Sequence, residues 1–204
     1  MRRDAKEHDD GDLVARGRAG DHDAFRQLYE RYHRRAFAVA LGIVRNPEDA
    51  RDVVQEAFIK VHGYLRDFRG SSSFYTWLYR IVANLAIDRT RRARVQHVEY
   101  QDHLARDEVP GQAAMLPSTL GMNPGAELER AELRACLDSS MAALSPPHRA
   151  VLMLREIEGL SYTEMARAVG CAKGTIMSRL FHARRRMQRL ILECMGQTKR
   201  TEDA

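Results

Sequence analysis

The chain has 204 residues, of which 44% are hydrophobic and 30% charged, and its formal net charge is +5. This composition is typical of a globular protein with room for one large domain or two small ones. The apolar runs are too short to span a bilayer and the first residues lack the apolar core of a secretion signal, so we expect a cytoplasmic protein without membrane insertion of its own.

The cysteines are dispersed along the chain and form no CxxC pair: Cys136, Cys171 and Cys194. An odd and widely spaced set predicts buried or incidental thiols and not a disulfide framework. The eight histidines are scattered, and the sequence contains no grouping of nucleophile and base and no phosphate-binding loop. We therefore expect no catalytic residue, no metal site and no cofactor, and an enzyme is the least favoured class.

Helical periodicity dominates the sequence, and strand-like alternation does not persist beyond a few residues. We expect an all-α protein of two helical modules joined by a flexible linker, the second module being a helix-turn-helix. A tail with a short helix over 10–18 occupies 1–20. The first module spans 21–95, with helices over 21–44, over 46–65, and from the aromatic stretch after residue 73 to about residue 95. Asn46 as a cap and Pro47 at the first helical position mark the start of the second of these helices.

Turn-forming residue pairs cluster over 96–125, which predicts the flexible linker. The second module spans 126–194, with helices over 126–143, 145–157, 161–169 and 173–194, and a tail follows over 195–204. Ser161 and Glu164 have the spacing of a capping box, and Gly170 is a typical helix end. The last two helices are thus joined by a tight turn, as in a helix-turn-helix.

Basic residues are concentrated over 89–94 and again over 179–189, whereas the stretch between them, 96–123, is acidic. Two basic clusters on either side of an acidic linker indicate a polyanion that is held at two places. The alternative is a pair of solvated helix faces without a ligand. It is less favoured because each cluster adjoins aromatic or turn-forming residues.

The helix over 173–194 combines an apolar seam with a polar face. Its apolar residues at positions 176, 180, 183, 187 and 190 fall on one narrow side. The opposite side carries small hydroxyls first and then cations: Thr175, Ser178, His182, Arg185 and Arg189. Such a helix fits the major groove, where hydroxyls approach base edges and arginines neutralise phosphates. An ordinary basic surface helix is the alternative.

The helix over 46–65 has an apolar stripe on one side and an acidic face on the other. That face carries Asp49, Asp52 and Glu56, with Ile59 among them. An apolar residue inside an exposed acidic face indicates a protein-binding surface. A single exposed isoleucine is also common without any function, so both interpretations stay open.

The aromatic helix that follows has a broad apolar arc, which accounts for Phe74 and Leu78 as core residues. One edge beside the arc repeats with helical spacing: Arg80, Asn84, Ile87 and Arg91, with Trp77 and Asp88 at its margins. Rings stack on bases, an amide contacts a base edge and arginines hold phosphates, so this edge suits a single strand of nucleic acid. The loop over 70–73 lies just before the helix and could receive an unstacked base.

Several motifs resemble those of one family, the extracytoplasmic function (ECF) group of bacterial sigma factors. Residues 52–58 (DVVQEAF) resemble its D-x-x-Q-E/D-x-F motif in region 2, and residues 74–88 (FYTWLYRIVANLAID) resemble its promoter −10 segment. The stretches 144–149 (LSPPHR), 159–166 (GLSYTEMA) and 174–184 (GTIMSRLFHAR) resemble region 4. The resemblance covers about 21–94 and 131–192, in the family's order and with a linker between.

The resemblance implies a sigma factor that binds RNA polymerase core and promoter DNA, and control by an anti-sigma factor is typical of the group. It implies that one set of residues docks on the clamp coiled coil of the polymerase: Asp49, Asp52, Gln55, Glu56, Phe58 and Ile59. A second set would capture the −10 element as a single strand and help melt it: Phe68, Gly70, Ser71, Ser72, Ser73, Phe74, Trp77, Arg80, Asn84, Asp88 and Arg91. A third set would bind the −35 element as duplex: Lys173, Thr175, Ser178, Arg179, His182 and Arg185.

Two positions depart from the family pattern. Ala172 stands where many relatives have proline, and Met177 stands where a basic residue is frequent, although Lys173 supplies a charge nearby. Two other functions remain open. A stand-alone helix-turn-helix regulator would leave the 52–58 motif unexplained, and a sigma mimic that titrates an anti-sigma factor would need no intact basic DNA face.

Overall fold

The computed structural model describes the backbone over 3–101 and 124–202 and the side chains over 10–93 and 130–196. Within these ranges the protein is all-α and has two modules, as predicted. The first module contains α1 (Arg3–Arg18), α2 (His22–Val44), α3 (Pro47–Tyr64), a 3-10 turn (Leu65–Asp67) and α4 (Phe74–Gln101). The second contains α5 (Pro124–Ala142), α6 (Pro146–Leu152), a π-helical turn (Met153–Ile157), α7 (Tyr162–Val169) and α8 (Lys173–Glu202).

Several helix ends differ from the sequence prediction. α1 begins at Arg3, α4 continues to Gln101 and α5 begins at Pro124, so helix occupies both ends of the predicted linker. The rest of that linker, 102–123, lies outside the described residues. α8 runs to Glu202 through most of the predicted tail, because glutamine, lysine, arginine and glutamate are good helix formers. The helix expected over 145–157 widens into the π-helical turn at Met153.

The predicted helix starts are confirmed by their caps. Asn46 accepts hydrogen bonds from the backbone N–H groups of Glu48 and Asp49, at 2.8 and 3.1 Å. Ser161 accepts from the Glu164 N–H at 3.2 Å while the Glu164 carboxylate accepts from the Ser161 N–H at 2.7 Å, which completes the capping box. Gly170, which follows the last residue of α7, has φ 70°, a left-handed conformation that favours glycine. These local signals set where α3 begins and where α7 begins and ends.

The core is continuous across both modules. α1 to α4 form a bundle around fully buried residues such as Leu28, Ile43 and Leu78, and the second module packs around residues such as Leu154 and Ile176. α7 packs against α4, and α6 with its π-helical turn packs against α2. None of the described helices is long and apolar enough to cross a bilayer.

Polar contacts join the two modules at this junction. The Tyr75 hydroxyl, on α4, donates to the carbonyl oxygen of Glu158 at 2.6 Å and lies 2.7 Å from its Oε2. Arg35, on α2, lies 2.8 Å from the same carboxylate, whose side chain is 1% exposed. Burial, with Glu158 beside it, raises the pKa of Tyr79 well above its usual range. The junction between the modules is therefore a water-poor, hydrogen-bonded interface.

The prediction of three separate thiols is wrong for two of the cysteines. Cys136 on α5 and Cys194 on α8 form a disulfide, with their Cα atoms 5.8 Å apart. They are separated by 58 residues in the chain, so no local pattern in the sequence brings them together. Cys171, in the turn between α7 and α8, is the free cysteine of the described residues. The disulfide ties the first helix of the second module to its last.

Candidate nucleic-acid and protein interfaces

The polar edge of α4 has the exposure that a strand-binding surface needs. Arg80, Asn84 and Arg91 are exposed, and Asp88, which is half-buried, pairs with Arg91 at 3.1 Å. Trp77 is half-buried at the start of this edge and packs against Phe68, with ring centroids 4.8 Å apart. The structure thus brings together cations, an amide and two rings on one side of the helix.

The loop before α4 is partly a structural element. Ser73 accepts the backbone N–H of Thr76 at 3.2 Å and so caps the start of α4, while Phe74 is only 3% exposed. Gly70 has φ 69°, which favours glycine, and space for a Cβ lies open there. Ser71 is exposed and Ser72 half-buried. Of the predicted contacts in this segment, Phe74 belongs to the core and Ser73 holds the helix start.

A cavity of about 280 Å³ lies between this loop and α1, a helix for which the sequence suggested no role. Ser72, Ser73 and Gly70 line one side, and Asp10 and Arg18 belong to the other. The Asp10 carboxylate is held by Arg31 at 2.7 Å and by the Tyr32 hydroxyl. α1 therefore closes the back of the loop that was predicted to receive a base.

The acidic face of α3 is exposed, but its charges are partly paired within the chain. Arg89, on α4, donates to Asp49 and to Asp52, each at 2.7 Å, and Lys60 lies 3.0 Å from Glu56. The pairs of Asp52 and Glu56 are largely exposed and are easily exchanged for other partners, whereas the Asp49 side chain is only 29% exposed. Ile59 is 63% exposed among them. The face is available to a partner protein.

Phe58 differs from the other members of the predicted docking set because it is only 4% exposed. It lies at the base of an open groove of about 780 Å³ between α2 and α3. Its ring centroid is 4.8 Å from that of Tyr29, which stacks on His33 at 4.9 Å. Phe58 shapes the groove, while Gln55 and Ile59 line its rim.

The α2 wall of this groove lies outside the residue sets that the sequence predicted to bind a partner. Its ring-bearing residues recur every four positions along the helix: Phe25, Tyr29, His33 and Phe37. That spacing was visible in the sequence, and it places all four side chains on one face of a helix. The groove extends the exposed face of α3 into a larger apolar surface.

The polar face of α8 is also as expected. Lys173, Ser178, His182 and Arg185 are exposed, Thr175 is half-buried, and the seam residues at 176, 180 and 183 are buried. Arg179 is half-buried, and its guanidinium lies 3.9 Å from the Cys171 sulfur. Five of the six predicted residues are therefore exposed or half-buried, so their side chains are accessible to a ligand. Arg179 packs toward the turn between α7 and α8.

The basic residues of α8 lie close to a histidine of α6. Burial lowers the pKa of His148, and the nearby guanidinium groups of Arg179 and Arg186 lower it further. Positively charged side chains therefore lie together along this part of α8, as the attraction of a polyanion requires.

Arg149, in the 144–149 motif, has a structural role. It is 7% exposed and donates to the carbonyl oxygens of Leu144, at 3.0 Å, and Ala142, at 3.4 Å. Burial lowers its pKa to about 10. A guanidinium at this position satisfies carbonyls at the end of α5 and stabilises the helix by its charge.

Comparison with known proteins identifies both modules. Residues 28–95 match the family model Sigma-70 region 2, and residues 134–187 match Sigma-70, region 4. The chain is 37% identical over 186 residues to the RNA polymerase sigma-H factor of Pseudomonas aeruginosa, covering 86% of this chain and 90% of that protein. It is 37% identical over 176 residues to the ECF RNA polymerase sigma-E factor of Escherichia coli K12, covering 84% and 88%.

Two solved structures are similar to the whole arrangement. One is the sigma factor RpoE in complex with the anti-sigma factor NepR from Bartonella quintana, with a TM-score of 0.63 and 26% identity over 82% of this chain and 96% of that chain. The other is CnrH in complex with the cytosolic domain of CnrY, with a TM-score of 0.60 and 25% identity over 88% and 94%.

Proposed function

We propose a residue-level mechanism for this chain, which belongs to the sigma-70 family of RNA polymerase sigma factors and to its ECF group. As a sigma factor it binds RNA polymerase core and promoter DNA and directs transcription initiation; the first module is region 2 and the second region 4. What remains to be assigned is which side chains perform each task.

We propose that the acidic face of α3 docks on the polymerase clamp. Asp52 and Glu56 are held only by exposed ion pairs, so a basic partner can replace Arg89 and Lys60 at small cost. Ile59 and the apolar groove beside it supply a surface that is desolvated on docking, which is the usual centre of a protein interface. The aromatic rings of α2 that line the groove enlarge this apolar centre of the interface.

The α4 edge is the proposed site for the −10 element. Arg80 and Arg91 would hold phosphates of the non-template strand, and Asn84 would contact a base edge between them. Asp88 restrains Arg91 by its ion pair. The cavity behind the 70–73 loop is where an unstacked base would be received.

The polar face of α8 is the proposed site for the −35 duplex. Thr175 and Ser178 lie near the N-terminus of the helix and would approach base edges, while His182 and Arg185 lie farther along and would contact phosphates. The helix presents this face because its opposite seam is anchored in the core by Ile176, Leu180 and Ala183.

In the structure α7 packs against α4, and we call this the closed arrangement of the two modules. In the closed arrangement the two modules cannot bind the −10 and −35 elements at the same time. The −10 and −35 elements are centred about 25 base pairs apart, roughly 85 Å at 3.4 Å per base pair. A compact chain of this length has a radius of gyration of only about 17 Å. Promoter binding therefore requires α7 to leave α4.

An anti-sigma factor is the proposed regulator. A similar sigma factor has been solved with its anti-sigma factor NepR, and the similarity extends over 82% of this chain. A protein that binds only the closed arrangement would hold the modules together and so oppose promoter binding. We also propose that the chain works in the cytoplasm and performs no chemistry itself, because RNA synthesis belongs to the polymerase.

The observation that carries the proposal is the presence of three separate exposed surfaces on one chain: an acidic face on α3, an aromatic and basic edge on α4, and a basic face on α8. The test is transcription from fragmented bacterial genomic DNA by core polymerase with the purified chain, followed by mapping of transcript 5′ ends. We expect start sites that share two upstream elements. Start sites identical to those of core alone would contradict the proposal.

A further inference from the structure

An open cleft of about 630 Å³ lies where the end of α3 and the 3-10 turn meet the start of α4. Three aromatic rings line it, those of Tyr64, Phe68 and Trp77. Phe68 and Trp77 pack against each other, with ring centroids 4.8 Å apart and planes inclined by 31°. These two rings support each other as one wall of the cleft.

Tyr64 contributes the most exposed of these rings. It is the last residue of α3 and is 62% exposed, whereas Phe68 and Trp77 are half-buried. Neither the motifs of the sequence nor the polar edge of α4 includes it. Tyr64 lines the cleft from the end of α3 and Trp77 lines it from α4, so a flat group that enters the cleft meets aromatic side chains from both helices.

The charge of the cleft is positive. Region 2 supplies two arginines to its lining, Arg69 and Arg80, against a single carboxylate, that of Asp67. Both arginines are exposed, so their guanidinium groups are accessible to a ligand. They stay in place when α7, which adds Arg167 to the lining in the closed arrangement, leaves α4. A ligand that fits should carry negative charge at its edge and flat unsaturated rings at its centre, and a single strand of nucleic acid has both.

We propose that Tyr64 stacks on an unpaired base of the non-template strand and so forms a further strand-binding residue of region 2. The inference rests on the proposed function of the α4 edge, to which Arg80 belongs, and it extends that edge across the cleft to the end of α3. Duplex DNA does not supply this contact, because its base faces are already stacked within the helix. An acidic peptide would engage the arginines but would leave the rings without a partner.

Trp77 makes the proposal directly measurable, because it is the only tryptophan of the chain. The full chain is titrated with a mixed-sequence single-stranded oligonucleotide of about 12 nucleotides, within the usual range of single-strand sites, while Trp77 fluorescence is recorded. We expect saturable quenching as bases enter the cleft. Tyr64→Ala should raise the half-saturating concentration about tenfold, the effect of losing one stacked base, and Tyr64→Phe should leave it within about twofold.

Three controls separate the possible failures. Phe181→Ala removes a ring of matched exposure, 60%, on α8 and should not change the titration. The same sequence as a blunt duplex should show no difference between wild type and Tyr64→Ala. Arg80→Ala should weaken quenching, which tests the α4 edge independently of Tyr64.

The outcomes are distinct. Equal half-saturation for wild type and Tyr64→Ala, with Arg80→Ala still weakened, would overturn the Tyr64 assignment and leave the α4 edge in place. An equal effect of Tyr64→Ala on single strand and duplex would overturn stacking as the mode of contact. Absence of quenching in the wild type would overturn both the Tyr64 assignment and the proposed −10 function of α4.

Discussion

The hydroxyl of Tyr75, on α4, lies 2.7 Å from Oε2 of Glu158. Glu158 directly follows the π-helical turn, so this pair joins region 2 to region 4. Both residues are at most 9% exposed. Arg35 approaches the same carboxylate from α2. The Glu158 carboxylate is thus buried and has donors from two helices of the other module. These contacts favour the closed arrangement over other packings of the modules, because separation must return all three polar groups to water.

Tyr75→Phe should loosen the closed arrangement. The change removes one donor from a buried carboxylate at a cost of about 1–3 kcal/mol, which lowers the ratio of closed to open chains roughly 5- to 150-fold. Small-angle scattering should then show a larger radius of gyration than for wild type, with helicity by circular dichroism unchanged. An unchanged radius would mean that the Tyr75 hydroxyl does not hold the modules together.

Asn84→Ala should spare core binding and impair opening of the promoter, because the amide is exposed on α4 and is not needed for packing. The measurement is permanganate reactivity of −10 thymines on a promoter obtained from start-site mapping. Thr90→Ala is a matched control, since the Thr90 hydroxyl already donates to the Ile87 carbonyl oxygen at 2.8 Å on the same helix. Wild-type reactivity of the Asn84 variant would exclude it from strand capture.

Arg185→Ala should weaken binding to −35 duplex and reduce the slope of log affinity against log salt by roughly one, the value for one phosphate contact. Arg184→Ala is its matched control. Arg184 is the preceding residue on α8 but is tied to Glu156, with N–O distances of 3.0 and 2.5 Å, so its loss should change the slope less. Equal slopes for wild type and Arg185→Ala would remove Arg185 from the phosphate contacts.

The disulfide predicts a defined thiol count and a defined loss of stability. Denatured chain without reductant should have one reactive thiol, that of Cys171, and three after reduction. Because the bond closes a segment of 58 residues, reduction or Cys194→Ser should lower the free energy of unfolding of region 4 by up to about 4 kcal/mol. Denaturant midpoints measure this, with Cys171→Ser as control. Three thiols without reductant would contradict the pairing.

The sequence predicts the helices and their exposed faces better than it predicts the contacts between helices. The start of α3 and the capping box of α7 depend on neighbouring residues, so Asn46 and Ser161 were sufficient to place them. The edge of α4 follows from helical spacing alone, and Arg80 and Asn84 are exposed as that spacing requires. For the same reason the stripe of rings on α2 could have been found from its four-residue spacing.

Contacts between distant segments have no such local signal. The Cys136–Cys194 disulfide and the Tyr75–Glu158 pair join residues 58 and 83 positions apart, and they depend on how the helices pack. Phe58 and Phe74 lie on the apolar sides of their helices, as helical spacing predicts, and both rings are buried against α2, where they contact Tyr29 and Tyr32. Their motif positions also suggested contacts with partners, but buried rings support the binding surfaces from within.

The acidic face of α3 is the proposed binding surface for RNA polymerase core. The most direct measurement is co-migration of the full chain with core on gel filtration, beside a variant in which Asp52 and Glu56 are both replaced by arginine. A variant with Glu132→Arg and Glu193→Arg, on α5 and α8, has the same change in net charge and serves as control. We predict co-migration of wild type and control and loss of co-migration for the α3 variant with its helicity intact. Retention of core binding by the α3 variant would contradict the claim and place the docking surface elsewhere.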